Sequence, residues 1–294
     1  MVWQSLIRGW LQQQVRQKTY QTVSEAAQSR AEGEGGSAPA LPPCEVGLVF
    51  ALSIESGGFE DLLSGVVTTR GAGFVAKQGS LRGRGVVLVE SGVGTLDAAR
   101  GTQALLAGHK PSWVISAGFA GGLDPKLKRG DILMVDSLAV ASGRRLAIDI
   151  RVNAESLTRT PGIHVGRLLT VDTVVRGPEE KRELGRRHEA LAVDMESWAV
   201  GEVCRQAKTR FMAVRIISDA VDDELPADVE RLARQKTRAG LFGAATGAIF
   251  RRPSSVKDML RLKEDALVAS DRLAKFLSGM ITQLVPAASD RQSG

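Results

Sequence analysis

Five stretches of this chain place acids, serines or glycines beside short apolar runs. Glu55 follows VGLVFALSI, the turn Ser91-Gly92-Val93-Gly94 follows GVVLVE, and Ala117-Gly118-Phe119-Ala120-Gly121-Gly122 follows WVIS. Asp194-Met195-Glu196 precedes a helical pattern, and Ser218-Asp219 follows FMAVRII. In open α/β sheets ligands bind beyond the carboxyl ends of the strands, so these are the places to look for chemistry. Singly, each has a plain structural use, because glycine-rich turns make sharp corners and an acid after a strand often caps a helix. Together, the carboxylates Glu55, Glu196 and Asp219 and the two glycine-rich turns supply what separating a purine from a ribose would require. Loss of the base leaves an oxocarbenium-like sugar. One carboxyl must then protonate the base and another must serve the nucleophile at the anomeric carbon, as in glycoside hydrolysis. A third would hold the ribose hydroxyls.

Arg215 sits four residues before Asp219 inside an apolar strand pattern, where a charge is costly unless paired. Glu55 is the expected partner, in catalysis or in a purely structural ion pair.

The elements that would carry these residues are strand patterns over 45–51, 85–90, 113–116, 131–139, 164–171 and 211–217. They alternate with helical patterns over 95–106, 178–187 and 195–207. Such alternation predicts an α/β sheet covered on both faces. A final amphipathic helix over 256–284 is expected to pack on that sheet.

The segments VGLVFALSIES, VESGVG, SAGFAGGLDPKLKRGDILMVD, LAVDMESWAV and VRIISDAVDD, in that order, resemble the nucleoside phosphorylase and methylthioadenosine/adenosylhomocysteine nucleosidase family from Val46 to Asp223. The resemblance implies a three-layer α/β/α domain with a central mixed sheet, acting without cofactor or metal on a purine nucleoside, with adenine as the expected base. It implies that Asp219 donates a proton to purine N7, aided by Ser218, and that Glu196 binds the ribose 2′- and 3′-hydroxyls over Met195. Glu55, Ser91 and Arg215 would hold the attacking water or phosphate. Gly92, Ala117, Gly118 and Phe119 would line the base and ribose. A protonated Asp219 at neutral pH would require an apolar pocket around it.

Two departures from the family pattern matter. Val174 or Val175 stands where an adenine-stacking aromatic belongs, with Phe119 or Trp198 as substitutes, and the Gly-Asp-Pro-x-Arg phosphate loop of the hexameric phosphorylases is absent from the sequence. Water is therefore favoured as nucleophile, while Arg84, Ser91 and Arg215 remain an alternative anion site with phosphate as co-substrate.

Residues 1–28 read as an amphipathic helical extension, 29–43 as a flexible linker, 44–285 as the catalytic domain and 286–294 as a disordered tail. The excess of Lys and Arg over acids, 39 against 33, collects after position 230, and 231–252 is a basic segment that turns apolar. With no aromatic platform beside it, that charge does not suggest nucleic acid. The run IFRRPSSVKDMLRLKEDALVASDRLAKFL resembles the end of hopanoid-associated phosphorylases. This implies an alternative adenosyl-lipid substrate and peripheral contact with the inner membrane face. A homodimer interface is the competing use of these apolar elements, and a nucleoside-binding protein without turnover is the other alternative class. Two distant cysteines, no apolar run of spanning length and no signal-peptide pattern lead to a cytoplasmic expectation.

Overall fold

The computed structural model describes residues 43–148, 160–225 and 254–285. The expected N-terminal helix, the linker up to residue 42, the 231–252 segment and the tail lie outside the described residues, and with them the elements on which the membrane and dimer readings rest. Among the described residues no helix is long and apolar enough to cross a membrane.

Four strands form a parallel centre in the order β4 (Arg84–Glu90), β1 (Cys44–Phe50), β5 (Trp113–Gly122) and β10 (Arg210–Asp219). Their sequences are nearly unbroken apolar runs because helices cover both faces. β10 also pairs antiparallel with β6 (Ile132–Val140), and β6 pairs parallel with β8 (Ile163–Thr170). β8 meets the short β9 (Ala192–Asp194), which returns antiparallel to β5 at Gly121 and Gly122. The sheet thereby closes on itself through β5, β10, β6, β8 and β9. β7 (Arg145–Ala147) adds to β6.

On one face lie α1 (Ser53–Glu60) and α5 (Ser254–Leu284), whose Phe59, Leu273, Leu277 and Ile281 are fully buried against Val46, Leu48 and Val214. Each such side chain contributes about 1.5–3 kcal/mol of burial. On the other face, α2 (Thr95–His109) and α4 (Ser197–Gln206) bury Leu105, Val200 and Cys204 against Val49, Val87 and Val114. α3 (Pro178–His188) follows β8 and opens with Pro178, Glu179 and Glu180 and closes with Arg186, Arg187 and His188, the charge order that a helix dipole favours. The result is the expected three-layer arrangement around a mixed sheet.

Three features differ from the sequence reading. A hairpin of β2 (Ser64–Arg70) and β3 (Val75–Leu81) extends the sheet beyond β4. Its outer strand, SGVVTTR, is exposed along nearly its whole length and so lacks an apolar pattern. Glu55 lies within a helix, α1, that is not among the helical patterns read from the sequence. Residues 117–122 are not a turn: β5 runs through them, held by β10 as far as Gly121 and then by β9.

Candidate active site

Glu55 is placed by main chain on both sides. It is the third residue of α1, and its Oε2 accepts hydrogen bonds from the N–H groups of Ala51 (3.0 Å) and Leu52 (2.9 Å). Its Oε1 accepts one from Phe119 N on β5 at 2.8 Å. Ser270 of α5 donates to the Glu55 carbonyl and accepts from Gly58 N, while Ser56 donates to Glu90 Oε1, which also pairs with Lys77. These contacts fix α1 against both α5 and the end of β4. Burial pushes the Glu55 carboxyl above the usual carboxylate range, against the pull of its three N–H donors and of Arg215.

Gly118 explains how Glu55 reaches the strand. A Cβ on Gly118 would lie 2.8 Å from Glu55 Oε1 and 3.0 Å from Arg215 Nη1, so only glycine leaves room for both groups at this point of β5.

Arg215 does not take Glu55 as its ion-pair partner, which corrects the expectation from sequence. Its Nη2 lies 2.7 Å and its Nε 3.1 Å from Asp194 Oδ2, and Nη2 also donates to Ser116 Oγ and Ser197 Oγ, both at 2.8 Å. Asp194 is itself held by Thr170 Oγ1 at 2.7 Å and Ser197 N at 2.9 Å. The pair is buried and hydrogen-bonded at each end, the condition under which a buried ion pair is tolerated. Glu55 therefore feels Arg215 as a nearby positive field and keeps its own donors.

Glu196 precedes α4 and crosses to the start of α2, where its Oε1 accepts from Gly94 N at 2.7 Å. Burial, with Asp194 and Glu55 adding negative charge, pushes its carboxyl up to about 8. Met195 beside it is half-buried. Ser91 is fully buried with its hydroxyl directed at the carbonyls of Phe50 and Gly92. Gly92 and Phe119 are partly exposed, Ala117 is buried, and Val174 and Val175 precede α3, with Val175 buried against Leu123 and Val193.

Asp219 ends β10 opposite Gly121, three residues along β5 from Gly118, a displacement of roughly 10 Å. Its Oδ1 accepts a hydrogen bond from Ser218 Oγ at 2.6 Å, but its surroundings are not the apolar pocket expected from sequence. Lys181, from the first turn of α3, is fully buried with its Nζ 2.6 Å from Asp219 Oδ2. The same ammonium donates to the carbonyls of Ala220 (2.9 Å) and Asp223 (2.7 Å).

Sequence reasoning missed Lys181 because it stands in PEEKRELGRRH, which reads as a solvated helix. Asp194 was visible only as a neighbour of Glu196. Two further expectations fail. Arg84 opens β4 at the end opposite Ser91, and its guanidinium donates to the carbonyls of Thr282 and Val285, capping α5. With Arg215 committed to Asp194, the proposed anion site of Arg84, Ser91 and Arg215 does not assemble. Trp198 is packed among Ala120, Leu133, Leu138 and Ile217 with Arg144 over its ring, away from a base-stacking position. Among the described residues no group of histidines, cysteines and acids could hold a metal ion.

Comparison with known proteins places this geometry. The chain is 28% identical over 211 residues, covering 63% of it and 90% of the relative, to a 5′-methylthioadenosine/S-adenosylhomocysteine nucleosidase of Tolumonas auensis. Its fold matches the nucleosidase of the same name from S. pneumoniae, solved with a transition-state inhibitor, with a TM-score of 0.64 at 20% identity over 82% of this chain and 100% of the other. It also matches futalosine hydrolase of Helicobacter pylori, with a TM-score of 0.62 at 18% identity over 82% and 98% of the two chains. The family model described as the phosphorylase superfamily matches residues 46–153 and 141–245. The sheet, the carboxylates at its carboxyl end and this match over most of the sequence agree: the chain belongs to the phosphorylase superfamily.

Proposed function

We propose that this chain hydrolyses the N-glycosidic bond of an adenine nucleoside. The observation that carries the reading is the disposition of three carboxylates at one end of the sheet, Glu55 and Asp219 buried and Glu196 half-buried. Glu55 and Asp219 lie by Gly118 and Gly121 of the same strand, and Glu196 approaches from α4. The names of the Tolumonas relative and of the S. pneumoniae nucleosidase support adenine nucleosides as the substrate class.

In this mechanism, Glu55 in its ionised form takes a proton from water as the water oxygen bonds to C1′. The C1′–N9 electron pair passes to the purine, and Asp219 gives a proton to N7. Its rise above the usual carboxylate range makes Glu55 a stronger base than an exposed glutamate, while its three N–H donors hold it in place. Glu196 binds the ribose hydroxyls, and Val174 and Val175 offer the base aliphatic contact.

Water is favoured over phosphate because the cations beside these carboxylates are committed. Among the described residues, Arg215 is paired with Asp194 and Lys181 with Asp219. A phosphate dianion would have to enter beside the Glu55 carboxylate with neither cation free to receive it.

The test is to incubate the purified protein with 5′-methylthioadenosine, S-adenosylhomocysteine, adenosine and inosine, with and without phosphate, and to chromatograph the products. Adenine with a free sugar, formed equally in both conditions, is the expected result. A sugar 1-phosphate formed only with phosphate would overturn the hydrolytic reading.

A further inference from the structure

Lys181 carries a buried charge that the mechanism above leaves unused. α3 is otherwise a surface helix: its arginines and glutamates point outward, and its buried side chains are Lys181 and His188. A lysine ammonium has three N–H donors, and here each has its own acceptor: Asp219 Oδ2, the Ala220 carbonyl and the Asp223 carbonyl. A neutral amine has only two N–H groups, so the arrangement fits the charged form.

The same stretch of chain is tied down elsewhere. Asp223 accepts from Arg129 Nε and from Ala220 N, both at 2.6 Å, and Arg176 and Leu225 exchange main-chain and side-chain hydrogen bonds. The loop after β10 and the segment entering α3 therefore form one unit, with Lys181 at the point where it touches the acid.

We infer that Lys181 is a positioning residue for the general acid: its ammonium holds Asp219 by Oδ2, leaves Oδ1 to carry the transferable proton, and stabilises the carboxylate formed as that proton leaves. This rests on the hydrolytic reading of the site.

Oxygen assignment follows from the contacts. Oδ2 accepts from the Lys181 ammonium, so it cannot take a proton without losing that hydrogen bond. Among the described residues Oδ1 accepts from the Ser218 hydroxyl alone, which has a second acceptor, the Ala120 carbonyl at 3.2 Å, and can turn to it when Oδ1 is protonated. Energetically, negative charge develops on Asp219 as N7 takes the proton. A fixed cation at 2.6 Å in a site shielded from water therefore favours the transition state over the bound ground state. The consequence is on kcat rather than KM. A charge-assisted hydrogen bond of this kind is worth roughly 10- to 100-fold in rate.

The experiment compares wild type, Lys181→Gln and Lys181→Met on two substrates. One is 5′-methylthioadenosine, whose base must be protonated to leave. The other is p-nitrophenyl β-D-ribofuranoside, whose phenolate leaves without a proton. Glutamine can still donate to the two carbonyls and has no charge, so it separates the electrostatic role from the clamp, and melting temperatures report whether either variant is misfolded. The expected result is a loss of roughly 10- to 100-fold in kcat on the nucleoside with little change in KM, and near wild-type cleavage of the phenyl riboside. Unchanged kcat on the nucleoside, or an equal fall on both substrates, would overturn the inference. Failure of the wild type to release base from any nucleoside would instead remove the reading of the site on which it rests.

Discussion

Arg215 Nη2 lies 2.7 Å from Asp194 Oδ2, while Glu55 keeps three main-chain N–H donors of its own. The division matters because a guanidinium paired directly with Glu55 would stabilise its ionised form and weaken it as a base. By absorbing the charge of Arg215, Asp194 leaves Glu55 buried and basic.

Asp194→Asn should accordingly harm stability more than its distance from the reacting atoms suggests. Removing one partner of a buried pair leaves the other uncompensated, at a cost of about 3–5 kcal/mol. Urea denaturation of the variant beside wild type measures this. A loss below about 1 kcal/mol, the level of an exposed pair, would show that Arg215 had found another partner.

Asp219→Asn should abolish most turnover, by roughly 100-fold or more, as expected for loss of a general acid. Unlike the same change at an isolated acid, it should also lower stability, because the Lys181 ammonium then lies buried without a carboxylate. Adding Lys181→Met to Asp219→Asn is expected to recover stability and no activity. Melting temperatures and rates of the single and double variants decide this together.

Gly118→Ala places a methyl group within 2.8 Å of Glu55 Oε1 and 3.0 Å of Arg215 Nη1. Displacing a catalytic group by about 1 Å can reduce rate roughly 100-fold, so kcat should fall by up to that factor. A variant with wild-type kcat would mean that Glu55 does not act from this position.

Glu196 gives a prediction with a definite sign. In the fold it holds its proton up to about pH 8, whereas its ordinary value is 4.5. Between those values the native state binds a proton that the unfolded chain has released, so the free energy of unfolding falls as pH rises. For one group the limiting slope is about 1.4 kcal/mol per pH unit. Denaturation of wild type and Glu196→Gln across this window should show the decline in wild type and a flatter profile in the variant. Ribose hydroxyls donating to Glu196 would favour its ionised form, so substrate-analogue binding near neutral pH should release a proton, seen as buffer-dependent heat in calorimetry.

The parts of the fold legible in the sequence are those whose local pattern and final environment agree. β1, β4, β6 and β10 are apolar because both their faces are buried, and α2 and α5 are amphipathic because one face is. β2 was silent because its side chains are nearly all in solvent, and α1 because eight residues with two glycines give little helical period. In the site, Glu55, Glu196 and Asp219 stood out as acids beside apolar runs. Their partners did not. Arg215 inside β10 demanded a counter-ion, and sequence alone could not choose between Glu55 and Asp194, since the choice depends on β9 folding back beside β5. Lys181 carried no signal at all, because a lysine between glutamate and arginine on a polar helix is ordinarily solvated, and only the approach of the loop after β10 buries it.

The central claim is that water, activated beside Glu55, attacks C1′ as Asp219 protonates the departing base. Turnover of 5′-methylthioadenosine in ¹⁸O-labelled water containing phosphate, followed by mass spectrometry of both products, tests it most directly. The account predicts one ¹⁸O in the freed sugar, unlabelled adenine, and no sugar phosphate. A sugar 1-phosphate, or a sugar without label, would contradict it.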